Sequence, residues 1–170
     1  MKRLLTSLAA ALAMSSALAW PDRPVTLVVP FPAGGSTDLI ARTLIPKLQE
    51  KLGGSYVVEN RAGATGTIGA AAVARARPDG HTLLVSSLGP FVIAPHLMKV
   101  PYDPLKDLEP LTLAVQAPNV LVVPARSPHR TLADVITYQK ANPDKMSFAS
   151  SGNGSSDYLT AELFWLQTGT

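Results

Sequence analysis

Three stretches of this 170-residue chain set glycine and hydroxyl side chains directly ahead of a helical pattern: Ala33 to Asp38, Arg61 to Thr67 and Ser150 to Asp157. Glycine lets the backbone approach a guest closely, and a helix N-terminus presents unpaired N–H groups with the positive end of the helix dipole. The chemistry such loops support is the holding of an anion. Glycines and hydroxyls also serve tight turns and helix caps, but three such loops in one short chain favour binding. None has the lysine of a G-x-x-x-x-G-K-[ST] phosphate loop, and no G-x-G-x-x-G dinucleotide fingerprint is present. The loops are neutral and hydroxyl-rich, which suits a carboxylate held by backbone N–H and Ser or Thr donors better than a phosphate chain. Arg61 offers a guanidinium at the mouth of the second loop.

Catalytic chemistry finds no comparable pattern. The chain has no cysteine, which excludes thiolate nucleophiles and thiolate metal sites. Its three histidines, His81, His96 and His129, lack metal-ligand spacing such as H-E-x-x-H. There is no G-x-S-x-G nucleophile elbow and no serine with an assignable histidine partner. Asp38 and Asp157 each open a helical pattern, where the dipole stabilises a carboxylate that has no chemistry to do. The expectation is a protein that binds rather than catalyses, with no cofactor and no metal.

The residues around the loops supply their scaffold. Val25 to Val29 is a nearly continuous β-branched run, the pattern of a strand buried on both faces of a parallel sheet. Pro30-Phe31-Pro32 stops it, and Ser36-Thr37-Asp38 offer cap chemistry for a helix with Leu39, Ile40, Leu44, Leu48 and Leu52 at three- and four-residue spacing. Pro46 should kink or restart that helix, and Gly53-Gly54 should end it. The unit repeats with a strand over 56–59, the second loop, a helix over 67–76 and a third strand over 82–86. Such alternation with short loops implies parallel pairing and right-handed crossovers, hence an α/β fold whose loops gather at the carboxyl ends of the strands, where ligands bind. After a proline-rich connection over 89–111 the pattern restarts. Strands are expected over 111–115, 120–123 and 146–149, a helix opens at Thr131 and Asp134, and a last helix carries Leu159, Leu163 and Leu166 on one face.

The first 19 residues combine Lys2 and Arg3, a short apolar run from Leu4 to Met14 and the small-residue site Ala17-Leu18-Ala19, the design of a secretory signal peptide cleaved before Trp20. The run is too short for a membrane span, which needs about 20 apolar residues. Without it, 13 basic residues face 12 acidic ones, a net charge of +1 against +3 for the whole chain. A near-neutral chain without a basic stripe does not suit nucleic acid. The remaining 151 residues suffice for one domain or two small ones, not embedded in a membrane after cleavage.

Trp20-Pro21-Asp22-Arg23-Pro24-Val25, the run from Val29 to Asp38, Glu59 to Gly66, Tyr102-Asp103-Pro104 with Asp107, and Ser150 to Ser155 together resemble the Bug family, the periplasmic substrate-binding proteins of tripartite tricarboxylate transporters. The resemblance implies a type II periplasmic-binding-protein-like α/β fold of two lobes with parallel-type sheets. Residues 1–19 would be the signal peptide, 20–110 the first lobe with its proline-rich connection, and 111–170 the start of a second lobe. That lobe is expected to be truncated, because family members are about twice this length. The resemblance also implies capture of a small carboxylate for the membrane subunits of such a transporter, without cofactor or turnover. Carried onto this chain, the first group of binding residues is Phe31, Ala33, Gly34, Ser36, Thr37 and Asp38, the second Ala64, Thr65 and Gly66, and the third Ser151, Gly152 and Ser155. Asp157 stands where family members often carry histidine. Delivery of the ligand to a sensor, or a periplasmic enzyme, are the alternatives the residues leave open. The exported chain is expected to begin at Trp20. Mass spectrometry of periplasmic material checks this, and a mass retaining Lys2 and Arg3 would refute it.

Overall fold

The computed structural model describes residues 20–170, so the signal segment expected over 1–19 lies outside the described residues. The first strand, β1 (Val25–Val29), forms where its β-branched run predicts. Val25, Leu27, Val28 and Val29 are each at most 2% exposed, so both faces of the strand are covered. β2 (Tyr56–Asn60) and β3 (Thr82–Leu84) flank it in the order β2-β1-β3, both parallel to it. Parallel neighbours need crossovers, and α1 (Ser36–Leu52) and α2 (Thr67–Ala74) supply them.

α1 covers one face, with Ile45 and Leu48 against Val25, Leu27 and Tyr56, and Ala41 against Val29 and Phe31. α2 covers the other, with Ala70 and Ala71 packed near Leu84 and the ring of Tyr102, whose hydroxyl donates to the Pro90 carbonyl at 2.7 Å. Burying each large apolar side chain of β1 contributes about 1.5–3 kcal/mol, so this strand is the support from which the loops hang. At its amino end, Arg23 pairs with Asp79 at 2.6 Å, and buried His81 sits between Asp79 and Asp22. A π-helical turn (Gly89–Ile93) leads into the single turn α3 (Ala94–Leu97).

Three local expectations are corrected. The cap of α1 is Gly35, with no side-chain cap bond, rather than Ser36, Thr37 or Asp38, because the Asp38 carboxylate reaches past the cap to the Gly34 N–H at 2.8 Å. The helix also runs through Pro46 without interruption. Proline removes one N–H from the ladder, and the burial of Ile45 and Leu48 on either side offsets that loss. β3 stops at Leu84 rather than at residue 86, with Val85 N–H still donating to the Val28 carbonyl at 2.9 Å.

The expected second set of strands does not form. No ladder joins 111–115, 120–123 or 146–149 among the described residues. A β-branched run makes a segment competent for a sheet, but a strand exists only where a neighbour takes its N–H and C=O groups. Leu111, Leu113, Val120 and Val122 are 73–78% exposed. The helices of this region depend on local capping and do form: α4 (Leu132–Ala141) opens on a reciprocal capping box between Thr131 and Asp134, and α5 (Ser156–Thr168) is capped by the Ser155 hydroxyl. No helix among the described residues is long and apolar enough to cross a membrane.

Asp38 ties the first unit together. Its side chain is 2% exposed. Oδ2 accepts from Gly34 N–H at 2.8 Å and from Arg42 Nε at 2.9 Å, and Oδ1 accepts from Asn60 Nδ2 at 2.9 Å. Asn60 also donates to the Phe31 carbonyl at 3.1 Å, so the β1–α1 loop is fastened to the end of β2. The Arg42 hydrogen bond first, then the Gly34 N–H and Asn60, hold the Asp38 carboxyl well below the usual carboxylate range, outweighing its burial.

A carboxyl lowered on folding contributes stability that is complete above its unfolded pKa of about 3.9 and lost as pH falls through and below that value. Asp38→Asn is therefore expected to lower stability by about 1.5–3 kcal/mol at neutral pH, the range for hydrogen bonds to a charged group. The difference should shrink as pH falls below about 4. Urea unfolding of dilute protein followed by tryptophan fluorescence measures it, and a difference unchanged at about pH 3 would refute the assignment. The exposed leucines and valines over 111–123 generate a second expectation: the chain associates as its concentration rises and binds an apolar dye. Light scattering that shows a monomer at every concentration, with no dye uptake, would count against it.

Candidate functional site

The carboxyl ends of all three strands open on one edge of the sheet, and the β1–α1 loop lies at its centre. That loop turns through Gly34 at φ 83°, a left-handed conformation that glycine adopts without penalty. Two of its amides are spoken for: Gly35 N–H donates to the Pro32 carbonyl and Gly34 N–H to Asp38. Ser36 N–H points to the Ser151 hydroxyl at a long 3.4 Å, and the two serine hydroxyls lie 3.2 Å apart. Thr37 and Asp38 N–H, in the first turn of α1, have no acceptor among the described residues, as is usual for a helix start. Thr37 is buried, and its hydroxyl likewise has no hydrogen-bond partner among the described residues.

A cleft of about 350 Å³ lies against this helix start, lined by Pro32, Ala33, Gly34, Gly35, Ser36, Ser150, Ser151 and Gly152. The first and third predicted loops are thus brought face to face. Phe31 is buried beneath them, in contact with the place where a Gly66 side chain would stand. Ser155 is buried and caps α5 by accepting from Tyr158 N–H. Asp157 accepts from Ser151 N–H at 2.7 Å through Oδ2, while its Oδ1 is buried without a partner among the described residues. Burial pushes the Asp157 carboxyl up, but hydrogen bonds from Ser155 and Ser151 outweigh it and hold the group below its ordinary value.

The second predicted loop is placed differently. Ala64 and Thr65 take positive φ of 46° and 59°, and Thr67 Oγ1 donates to the Ala64 carbonyl at 2.8 Å. Neither Ala64, Thr65 nor Gly66 lines the cleft. Gly66 is enclosed by Pro30, Phe31 and Pro90, and Thr65 lies against Gly154 of the third loop. Arg61 pairs with Glu59 at 2.7 Å, so its guanidinium is engaged outside the cleft. A second cleft, of about 440 Å³, is lined by Arg126, His129, Tyr138 and Lys145. Residues 130–134 do not line it, and α4 starts on a closed capping box, Thr131 Oγ1 accepting from Asp134 N–H at 3.2 Å and the Asp134 carboxylate from Thr131 N–H at 2.9 Å. The free helix N-terminus makes the smaller cleft the candidate site.

Sequence reasoning did not single out Arg42 and Asn60, which hold Asp38, nor Gly89 in the loop after β3, which meets the third loop. Arg42 carried a readable signal, since Asp38 and Arg42 are spaced i and i+4 on one helix. Asn60 and Gly89 depend on contacts between elements distant in sequence and carried none.

Residues 40–170 match the family described as tripartite tricarboxylate transporter family receptor. BugT of Bordetella pertussis is 44% identical over 156 residues, which cover 91% of this chain and 48% of BugT. MatC from Rhodopseudomonas palustris with bound malate superposes with a TM-score of 0.79 at 37% identity, over 89% of this chain and 52% of that one. An R. palustris protein with adipate gives a TM-score of 0.76 at 36% identity, over 89% and 51%. The chain spans about half the length of the curated relatives it matches. The α/β fold superposes on these proteins, and the chain belongs to the tripartite tricarboxylate transporter receptor family, the family of the Bug proteins.

Proposed function

We propose that this chain forms the ligand-capturing part of a periplasmic solute-binding protein that takes up a small carboxylate for the membrane subunits of a tripartite tricarboxylate transporter. The observation that carries this reading is the cleft at the start of α1, where the N–H groups of Thr37 and Asp38 have no acceptor among the described residues and the Ser36 and Ser151 hydroxyls face each other. A helix N-terminus with open amides favours a negatively charged oxygen. Malate and adipate, named with two related structures, are both carboxylates. On this reading residues 20–110 form one lobe and 111–170 belong to a second.

Phe31, Ala33, Gly34, Ser36, Thr37 and Asp38 then form the proximal wall. Asp38 contributes its backbone, since its carboxylate is held by Gly34, Arg42 and Asn60. Ser151 and Gly152 form the facing wall, with Ser155 and Asp157 behind it. Ala64, Thr65 and Gly66 hold the facing loop at its far side, through Thr65 and Gly154.

Titration calorimetry of the chain against malate, adipate and matched neutral diols tests the reading. Binding of the carboxylates but not of the diols is expected. Gly34→Asn, which tolerates the left-handed conformation and projects a side chain where a Cβ meets nothing within 4 Å, should weaken binding about tenfold or more. Thr37→Val should cost about 0.5–1.5 kcal/mol through the lost hydroxyl. Equal affinity for diols and carboxylates, or unchanged affinity in a folded Gly34→Asn protein, would remove this cleft from the function.

A further inference from the structure

The third loop rests on the first unit along a line of bare backbone. A Cβ built on Gly89 would stand 2.3 Å from the Gly154 carbonyl oxygen and 3.5 Å from the Thr65 carbonyl oxygen. From the other side, a Cβ on Gly154 would stand 2.1 Å from Thr65 Cγ2. A Cβ on Gly35 would stand 3.1 Å from the Ser151 carbonyl oxygen. All three contacts cross between the carboxyl edge of the sheet and the loop over 150–155.

Gly89 is buried, and its φ is one that any residue adopts, so its backbone conformation gives no reason for glycine. The reason is space, and what occupies that space is the backbone of Gly154 and Thr65. Backbone cannot swing aside as a long side chain does, and real Cβ atoms do not approach within 3.0 Å. A methyl group at residue 89 therefore forces the third loop away from the sheet. Ser151 lies on that same loop, three residues from Gly154, so the displacement opens the 3.2 Å approach of its hydroxyl to Ser36 and parts the two walls of the cleft.

We propose that Gly89 is a positioning residue for closure of the carboxylate cleft: its bare backbone is the seat on which Gly154 comes to rest, and that seating brings Ser151 to the start of α1. Gly89 touches neither wall of the cleft and acts through the third loop alone. The significance for binding rests on the carboxylate-capture reading above, whereas the closure itself does not.

The chain has no cysteine, so closure can be read directly, without any ligand, from a Ser36→Cys/Ser151→Cys pair under mild oxidation, followed on non-reducing gels. Rapid cross-linking is expected with Gly89 in place. Gly89→Ala in the same background should slow it about tenfold, since the rate follows the fraction of closed molecules. Far-UV circular dichroism and tryptophan fluorescence should stay unchanged. Gly154→Asn, which tolerates the left-handed φ of 78° at that position, enters the same seam from the other side and should slow cross-linking likewise. It decides alone if the Gly89 variant fails to fold, because its change lies on the third loop. Calorimetry of Gly89→Ala on the serine background should show malate or adipate affinity falling by the same factor. If the parent binds no carboxylate but cross-linking slows as stated, the functional reading fails and the seat stands. Cross-linking as fast in a folded Gly89→Ala or Gly154→Asn protein as in the parent pair would overturn the proposal.

Discussion

The candidate site depends on one buried carboxylate whose hydrogen-bond donors all come from the protein itself. Asp38 sits in the first turn of α1, where the helix dipole favours a negative charge, and that favour is also what an anionic ligand would use. Two negative groups at one helix start repel, so an unneutralised Asp38 would compete with any incoming carboxylate. Its partners cancel the conflict: Arg42 lies 2.9 Å away on the same helix, and Gly34 N–H and Asn60 donate two further hydrogen bonds to it. The charge is spent inward, on fastening the loop to β2, and the outward amides of Thr37 and Asp38 are left unopposed. Arg42 is half exposed, so the neutralising charge stays solvated and does not require a costly buried pair.

The same device recurs at two later helices with less bracing. Asp134 takes the amides of Arg130 and Thr131, and Asp157 takes that of Ser151, each from the first turn of its own helix. Only Asp38 also holds a neighbouring strand. Asp157 has one backbone donor on Oδ2, while Oδ1 is buried without a partner among the described residues. The two walls of the cleft therefore differ in kind. The proximal wall is fixed to the sheet by a hydrogen-bonded carboxylate, whereas the facing wall is held by one amide bond, a cap and contacts of bare backbone.

Legibility followed the range of the interaction. β1 was readable because four of its five side chains are buried and leave a largely β-branched run, and α4 because Thr131 and Asp134 complete their capping box within four residues. The start of α1 was misplaced by one residue, because Ser36 and Thr37 have the chemistry of caps but the loop is organised by Asp38 reaching back to Gly34. The runs over 111–123 have strand composition, yet pairing is a property of two segments, and no neighbour takes their backbone groups among the described residues. For the site, the three loops were visible as glycine and hydroxyl patterns, but which two would face each other was not. That depends on Thr65 meeting Gly154 and on Gly89 admitting it, contacts between segments 65 to 89 residues apart.

Sequence also cannot distinguish a glycine needed for its conformation from one needed for its emptiness, and this chain holds both kinds. Nine of the twelve glycines have positive φ and need no steric explanation. Gly35, Gly69 and Gly89 do not, and each has a neighbour where a Cβ would stand. Gly69 admits Pro30 and so lets α2 press on the end of β1, a requirement of the fold. Gly35 and Gly89 instead admit the third loop, at Ser151 and at Gly154. Gly35 is also the cap of α1, where glycine outranks alanine, but the turn at Gly89 would form as well with alanine, which has the higher helix propensity and the same ordinary φ. The chain therefore carries at Gly89 a cost in backbone entropy that its own secondary structure does not require. What that cost secures is an approach of backbone to backbone, at the edge of the sheet where the helix amides are open.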